Sequence, residues 1–151
     1  MKKSMIKSWA LVLTVIAFPA LAQTLTADSE SSKQLANELQ FCSLYFTNVS
    51  QCFADKNYVR RLAPTDKQRA SELALIYDKQ ASLANKNAFK VWKASGMSSA
   101  DFTKHLVASI KLLNDAIDGD CANIKTLFDK YGASCNQLVH NPLQRLKELS
   151  R

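Results

Sequence analysis

The chain has 151 residues, of which 47% are hydrophobic, 22% charged and 9% aromatic, with a formal net charge of +7. That length fits a single domain, the hydrophobic content excludes a disordered chain, and three glycines and three prolines exclude collagen-like or linker-like sequence and disfavour a turn-rich β sandwich. Setting aside Lys2, Lys3 and Lys7 leaves 17 basic side chains against 13 acidic ones, or +4, well short of the clustered charge of a nucleic-acid binder.

Residues 1–22 read as a secretion signal. The three lysines make a positive start, Trp9 to Phe18 is an apolar run interrupted only by Thr14, and Ala20-Leu21-Ala22 gives a small-x-small cleavage pattern before Gln23. The run is too short to span a bilayer, which needs ~20 apolar residues. The expectation is a cleaved leader followed by one helical domain over 23–151, periplasmic or secreted, with no stable membrane insertion after cleavage.

The first mature helix is expected from about Ser32 to Asp55. Leu35, Leu39, Cys42, Phe46, Val49 and Phe53 step by 4, 3, 4, 3 and 4, a sustained one-face stripe. Lys56 to Pro64 reads as a loop. Thr65 and Gln68 form a capping-box pattern that opens a second helix, whose apolar positions include Leu73, Ile76, Tyr77, Ala84, Ala88 and Val91 and which stops at Gly96. Ser98 with Asp101 opens a third, with Phe102, Leu106, Ile110, Leu113 and Ile117 on its face. Asp120 opens a fourth that ends at Gly132. Residues 134–150 form a last helical stretch that restarts at Asn141 and Pro142. Gly96, Gly119 and Gly132 each follow a helical pattern, where a left-handed residue closes a helix. Together these predict an all-α fold, an up-down four-helix bundle with a broken fourth/fifth helix, stapled by two disulfides.

The staples follow from four cysteines, Cys42, Cys52, Cys121 and Cys135, in an exported domain. Their spacings do not resemble the close pairs of a zinc site, and C-x-x-C is absent. Ten residues of continuous helix separate Cys42 from Cys52 by ~15 Å, beyond the ~7 Å a disulfide tolerates. Cys121 and Cys135 flank one helix in the same way. In an up-down bundle the first and fourth helices are antiparallel neighbours, which pairs Cys42 with Cys135 and Cys52 with Cys121.

No catalytic signature stands out, and none is assigned. Asp101 lies one turn before His105, and a histidine-dependent enzyme built on that pair is the least favoured functional class. His140 sits at the helix restart. Covalent haem would need C-x-x-C-H, and Met97 with His105 cannot reach opposite faces of an iron, so no cofactor is expected. Asp115, Asp118 and Asp120 lack the calcium-loop pattern, so no metal is expected; Asp120 reads as a helix cap, Asp115 as a partner of Lys111, and Asp118 opposes the helix dipole.

The most plausible functional surface is the basic stretch Lys56, Arg60, Arg61, Lys67 and Arg69, interleaved with Tyr58, because arginine and tyrosine favour protein interfaces. The expected function is binding of a protein partner in the cell envelope, most specifically as an inhibitor or immunity protein of an envelope hydrolase. A periplasmic chaperone or a carrier of an apolar ligand is the alternative.

Overall fold

In the computed structural model the chain is described over residues 29–151, so the leader expected at 1–22 lies outside the described residues. Helix α1 (Ser29–Ala54) is the element around which the others are arranged. Its stripe is buried from Leu35 through Val49, with Phe53 half-buried at the end. A second row, Ala36, Tyr45 and Cys52, is buried beside it. A helix covered over so wide an arc needs neighbours on more than one side.

The largest neighbour is α3 (Pro64–Ser95). Ser43 Oγ donates to the carbonyl of Ala81 at 3.1 Å and Ser50 Oγ to that of Ala74 at 2.8 Å, so α3 descends as α1 ascends and the two are antiparallel. The inward face of α3 is built from small residues, Ala70, Ala81, Ala84 and Ala88 with Val91 and Ser95. They match the bulky Tyr45 and Phe46 presented by α1 and let the two backbones approach. Ile76, expected in the core, is 53% exposed. It stands five residues before Ala81, about 140° round the helix from it, and points away from α1.

α3 also begins differently from the capping-box expectation. Its first residue is Pro64, its N-cap is Ala63 with no side-chain hydrogen bond, and Thr65 lies inside the helix. Proline at the first helical position supplies a preset φ and lacks only an N–H that would be unpaired there. The expected loop before it is also corrected: Lys56–Arg61 forms a short helix, α2, capped by Asp55, whose carboxylate accepts from the Tyr58 N–H at 2.7 Å.

α4 (Ser99–Ile117) starts as expected. The Asp101 N–H donates to Ser98 Oγ at 3.1 Å and Ser98 Oγ donates to the Asp101 carboxylate at 2.7 Å. Only Leu113 and Ile117 of its expected face are buried. Ile110 is 40% exposed, although the start of α4 meets α1, where the Phe102 carbonyl accepts from Gln40 Nε2 at 3.4 Å. Its end is closed by two left-handed residues, Asp118 (φ 51°) and Gly119 (φ 65°), with the Gly119 N–H on the Asn114 carbonyl at 3.2 Å. Asp118 is therefore a helix-closing residue, in a conformation that aspartate tolerates better than most side chains.

The fourth helix, expected from Asp120 to Gly132, is broken. It comprises a 3₁₀ turn (Cys121–Asn123), α5 (Ile124–Leu127) and a π turn (Phe128–Gly132), then leads into α6 (Ala133–His140) and, after Asn141, α7 (Pro142–Leu149). Fourteen α-helical steps would span ~21 Å, whereas the ten between Cys42 and Cys52 span ~15 Å. The run that bridges both α1 cysteines is thus not a continuous α-helix. Gly132 is corrected too. It has right-handed φ of −58°, and a Cβ there would sit 3.2 Å from the buried Tyr45 hydroxyl, so close approach explains this glycine. Gly96 and Gly119 have the positive φ expected of them.

The disulfides join Cys42 to Cys135 and Cys52 to Cys121, with Cα separations of 5.2 and 5.3 Å. They tie α1 to the broken segment in antiparallel order. α7 returns to the start of α1, where Ser31 Oγ donates to the Leu149 carbonyl at 2.9 Å and the Arg145 guanidinium forks onto Glu38 at 2.8 and 2.9 Å. The described residues are all-helical, with no strand, and two disulfides are what an oxidising compartment favours. No described helix is long and apolar enough to cross a membrane.

Candidate partner-binding groove

Where α1 ends, three local choices shape the surface. Asp55 takes an extended conformation (ψ 118°) that stops α1, and its side chain starts α2. α2 ends at Leu62, which is extended like Ala63 after it (ψ 157° and 153°). The residue before a proline avoids the helical region, so Pro64 fixes both the end of this connection and the start of α3. The short helix is thereby held beside the first turns of α3 without filling the space between them.

That space is a groove of about 630 Å³. Its floor is apolar, formed by Phe53, Ala54, Val59, Ala70 and Ala74, with Leu75 at one edge. Small side chains at 54, 70 and 74 make the recess; Leu75 is 63% exposed. Phe53 is held from below by aromatic contacts with Tyr58, Tyr77 and Phe128 at ring-centroid distances of 6.0–6.2 Å. The rim carries Lys56, Arg60 and Lys67, all exposed, and no carboxylate of the described residues belongs to the lining.

The basic residues singled out in the sequence thus divide into two sets. Lys56, Arg60 and Lys67 converge on the groove. Arg61 turns to Asp120, its Nη2 3.1 Å from the carboxylate, and helps clip α2 to the turn before Cys121. That carboxyl lies below its ordinary pKa, first because it accepts from the Ala122 N–H and then because it accepts from Arg61. Tyr58 is half-buried against Phe53, a packing role, and Arg69 is exposed outside the lining. The apolar floor was missed by reading charge alone. A signal for it existed in Val59, Ala70, Ala74 and Leu75, which flank the cations at near-helical spacing.

The remaining chemistry-bearing residues do not assemble. Asp101 is engaged by Ser98, and no hydrogen bond or ion pair joins it to His105 among the described residues. His105 and His140 are both exposed. Asp115 pairs with Lys111 on the surface of α4, and Asp120 caps the 3₁₀ turn. Among the described residues no group of three or more His, Cys, Asp or Glu side chains is placed to hold a metal ion. No family model matches the chain, and no curated protein or solved structure resembles it at a significant level.

Proposed function

We propose that this chain is a small exported protein, periplasmic or secreted, that acts by binding a macromolecular partner in the cell envelope, most specifically as an inhibitor or immunity protein of an envelope hydrolase. The observation that carries the reading is the groove between α2 and α3: an apolar floor ringed by Lys56, Arg60 and Lys67 with no carboxylate in its lining. Such a surface suits a partner that offers an apolar side chain flanked by acidic groups. The apolar contact supplies affinity, and the three cations supply steering and orientation. The scaffold suits that role because two disulfides and the α1–α3 pairing pre-organise the site, so little ordering opposes association. The scaffold itself is read as an up-down bundle whose fourth member is the broken run 121–149, a reading supported by the antiparallel bridging of α1.

The test separates groove residues from their basic neighbours. The partner is captured from an envelope extract, identified, purified and assayed for cell-wall hydrolysis with and without this protein. Arg60→Glu and Lys67→Glu should weaken association at least tenfold, mostly through a slower on-rate and a smaller salt dependence, with melting unchanged. Arg69→Glu, of equal charge change but outside the groove, should have a much smaller effect. Equal losses from all three variants would reduce the surface to general electrostatics, and an uninhibited hydrolase would remove the inhibitor reading.

A further inference from the structure

A second recess lies nearer the start of α1, between α1, α6 and α7, with a volume of about 590 Å³. It exists because the helix breaks at Asn141 (φ −133°, ψ 53°) and Pro142 restarts it in a new direction. Its base is apolar: Phe41, Leu138 and the Cys42–Cys135 disulfide. Its walls are rich in amides, Asn37, Gln137, Asn141 and Gln144. One side is charged, but the charges are already satisfied by one another. Arg145 forks onto Glu38 at 2.8 and 2.9 Å and reaches Glu148 at 3.4 Å.

Of the amides, Gln144 donates to the Glu148 carboxylate at 3.1 Å, and the other three are not similarly engaged. Asn37 Oδ1 is buried with no hydrogen-bond partner, and the side chains of Gln137 and Asn141 are exposed in the lining. A buried acceptor left unpaired is costly until something donates to it. Each amide presents a donor and an acceptor in one plane. That pattern matches groups that both give and take hydrogen bonds, namely hydroxyls and other amides. An anion would face two carboxylates and an arginine whose fork is occupied. The volume falls in the range of small-molecule sites and suits a short oligosaccharide.

We propose that this cleft binds an uncharged, amide-bearing saccharide, an N-acetylated amino sugar. Its acetamido group pairs with the side-chain amides, its methyl rests on Phe41 and Leu138, and its hydroxyls donate to Glu38 and Glu148. The sugar has two possible sources, a free oligosaccharide or the glycan of a cell-wall polymer. The site is separate from the α2–α3 groove and does not depend on the reading of that groove.

The probe is chitotriose, a soluble trimer of N-acetylglucosamine, titrated into isotopically labelled protein and followed by the side-chain amide resonances. Binding should shift Asn37, Gln137 and Asn141 with an affinity in the range of about 10 µM to 5 mM, typical of a small ligand held by a few hydrogen bonds. Gln137→Ala and Asn141→Ala change exposed positions, so they should keep the parent's melting behaviour while weakening binding about tenfold each. Arg69→Glu, exposed and outside the lining of both recesses, should bind chitotriose normally. Cosedimentation with purified wall sacculi separates the sources: retention that Asn141→Ala abolishes indicates wall glycan, and chitotriose binding without retention indicates a free sugar. The proposal is overturned if about 10 mM chitotriose leaves the cleft resonances unmoved, or if both alanine variants bind as the parent does. It is also overturned if a capped trialanine peptide shifts the same resonances as strongly, which would reassign the cleft to peptide.

Discussion

Removing the disulfides one at a time and together gives results that do not add, and the excess can be worked from the chain. Cys42–Cys135 closes 93 residues and Cys52–Cys121 closes 69, the second nested within the first. Alone, each would constrain the unfolded chain by about 4.6 and 4.4 kcal/mol respectively in the loop-entropy account. With both present the unfolded chain holds one ring of 69 residues and a second of only 93 less 69, or 24, residues, the latter worth about 3.4 kcal/mol. The two bridges together then contribute about 7.8 kcal/mol. Replacing Cys42 and Cys135 by alanine should cost about 3.4 kcal/mol, and replacing Cys52 and Cys121 about 3.2 kcal/mol, before packing losses. Replacing all four should cost about 1.2 kcal/mol more than the two losses combined. Packing losses cancel in that difference because the bridges lie ~15 Å apart along α1, where side-chain effects are additive. The assay is equilibrium urea unfolding followed by helical circular dichroism, with an osmolyte background that keeps the four-alanine variant folded. Strict additivity, or a four-alanine variant less destabilised than the sum, would refute the nested-loop reasoning.

Two further expectations concern single contacts. Gly132→Ala puts a Cβ 3.2 Å from the hydroxyl of fully buried Tyr45 and should cost about 1 kcal/mol in denaturant unfolding; in a Tyr45→Phe background, which also removes an unpartnered buried hydroxyl, the same change should be neutral or stabilising. Burial pushes the Glu38 carboxyl up, but the hydrogen bonds from Arg145 and Gln34 outweigh it and leave it below its ordinary value of 4.5, so its stabilisation is complete above that value and is lost as pH falls through the lowered one; thermal melts between about pH 7 and 3 should show an acid limb that Glu38→Gln makes shallower, with Asp120 accounting for part of the remainder.

The parts of this molecule legible in sequence are those governed by one element's own periodicity. The α1 stripe from Leu35 to Val49 is buried as its spacing requires, and the Ser98–Asp101 cap and the restart at Pro142 depend only on neighbouring residues. The cysteine pairing was accessible because a helix cannot fold back on itself within ten residues. Features that depend on two elements at once were hidden. Ile76 looks like a core residue until α3 is seen to face α1 through alanines. Gly132 looks like a helix end until the Tyr45 hydroxyl is placed against it. The groove shows the same division: its cations are conspicuous along the chain, but nothing local says that Lys56, Arg60 and Lys67 converge while Arg61 turns to Asp120.

The hydrogen bond from Ser31 to Leu149 has a practical consequence for handling the protein. It places residues 31 and 149 at one pole, while Phe53, at the base of the cationic groove, lies 22 residues farther along α1, or ~33 Å away. A tether or reporter domain fused after Arg151 would therefore emerge on the side remote from the groove. Anchored to a sensor chip or displayed on a particle by that end, the molecule would present Lys56, Arg60 and Lys67 outward in one orientation.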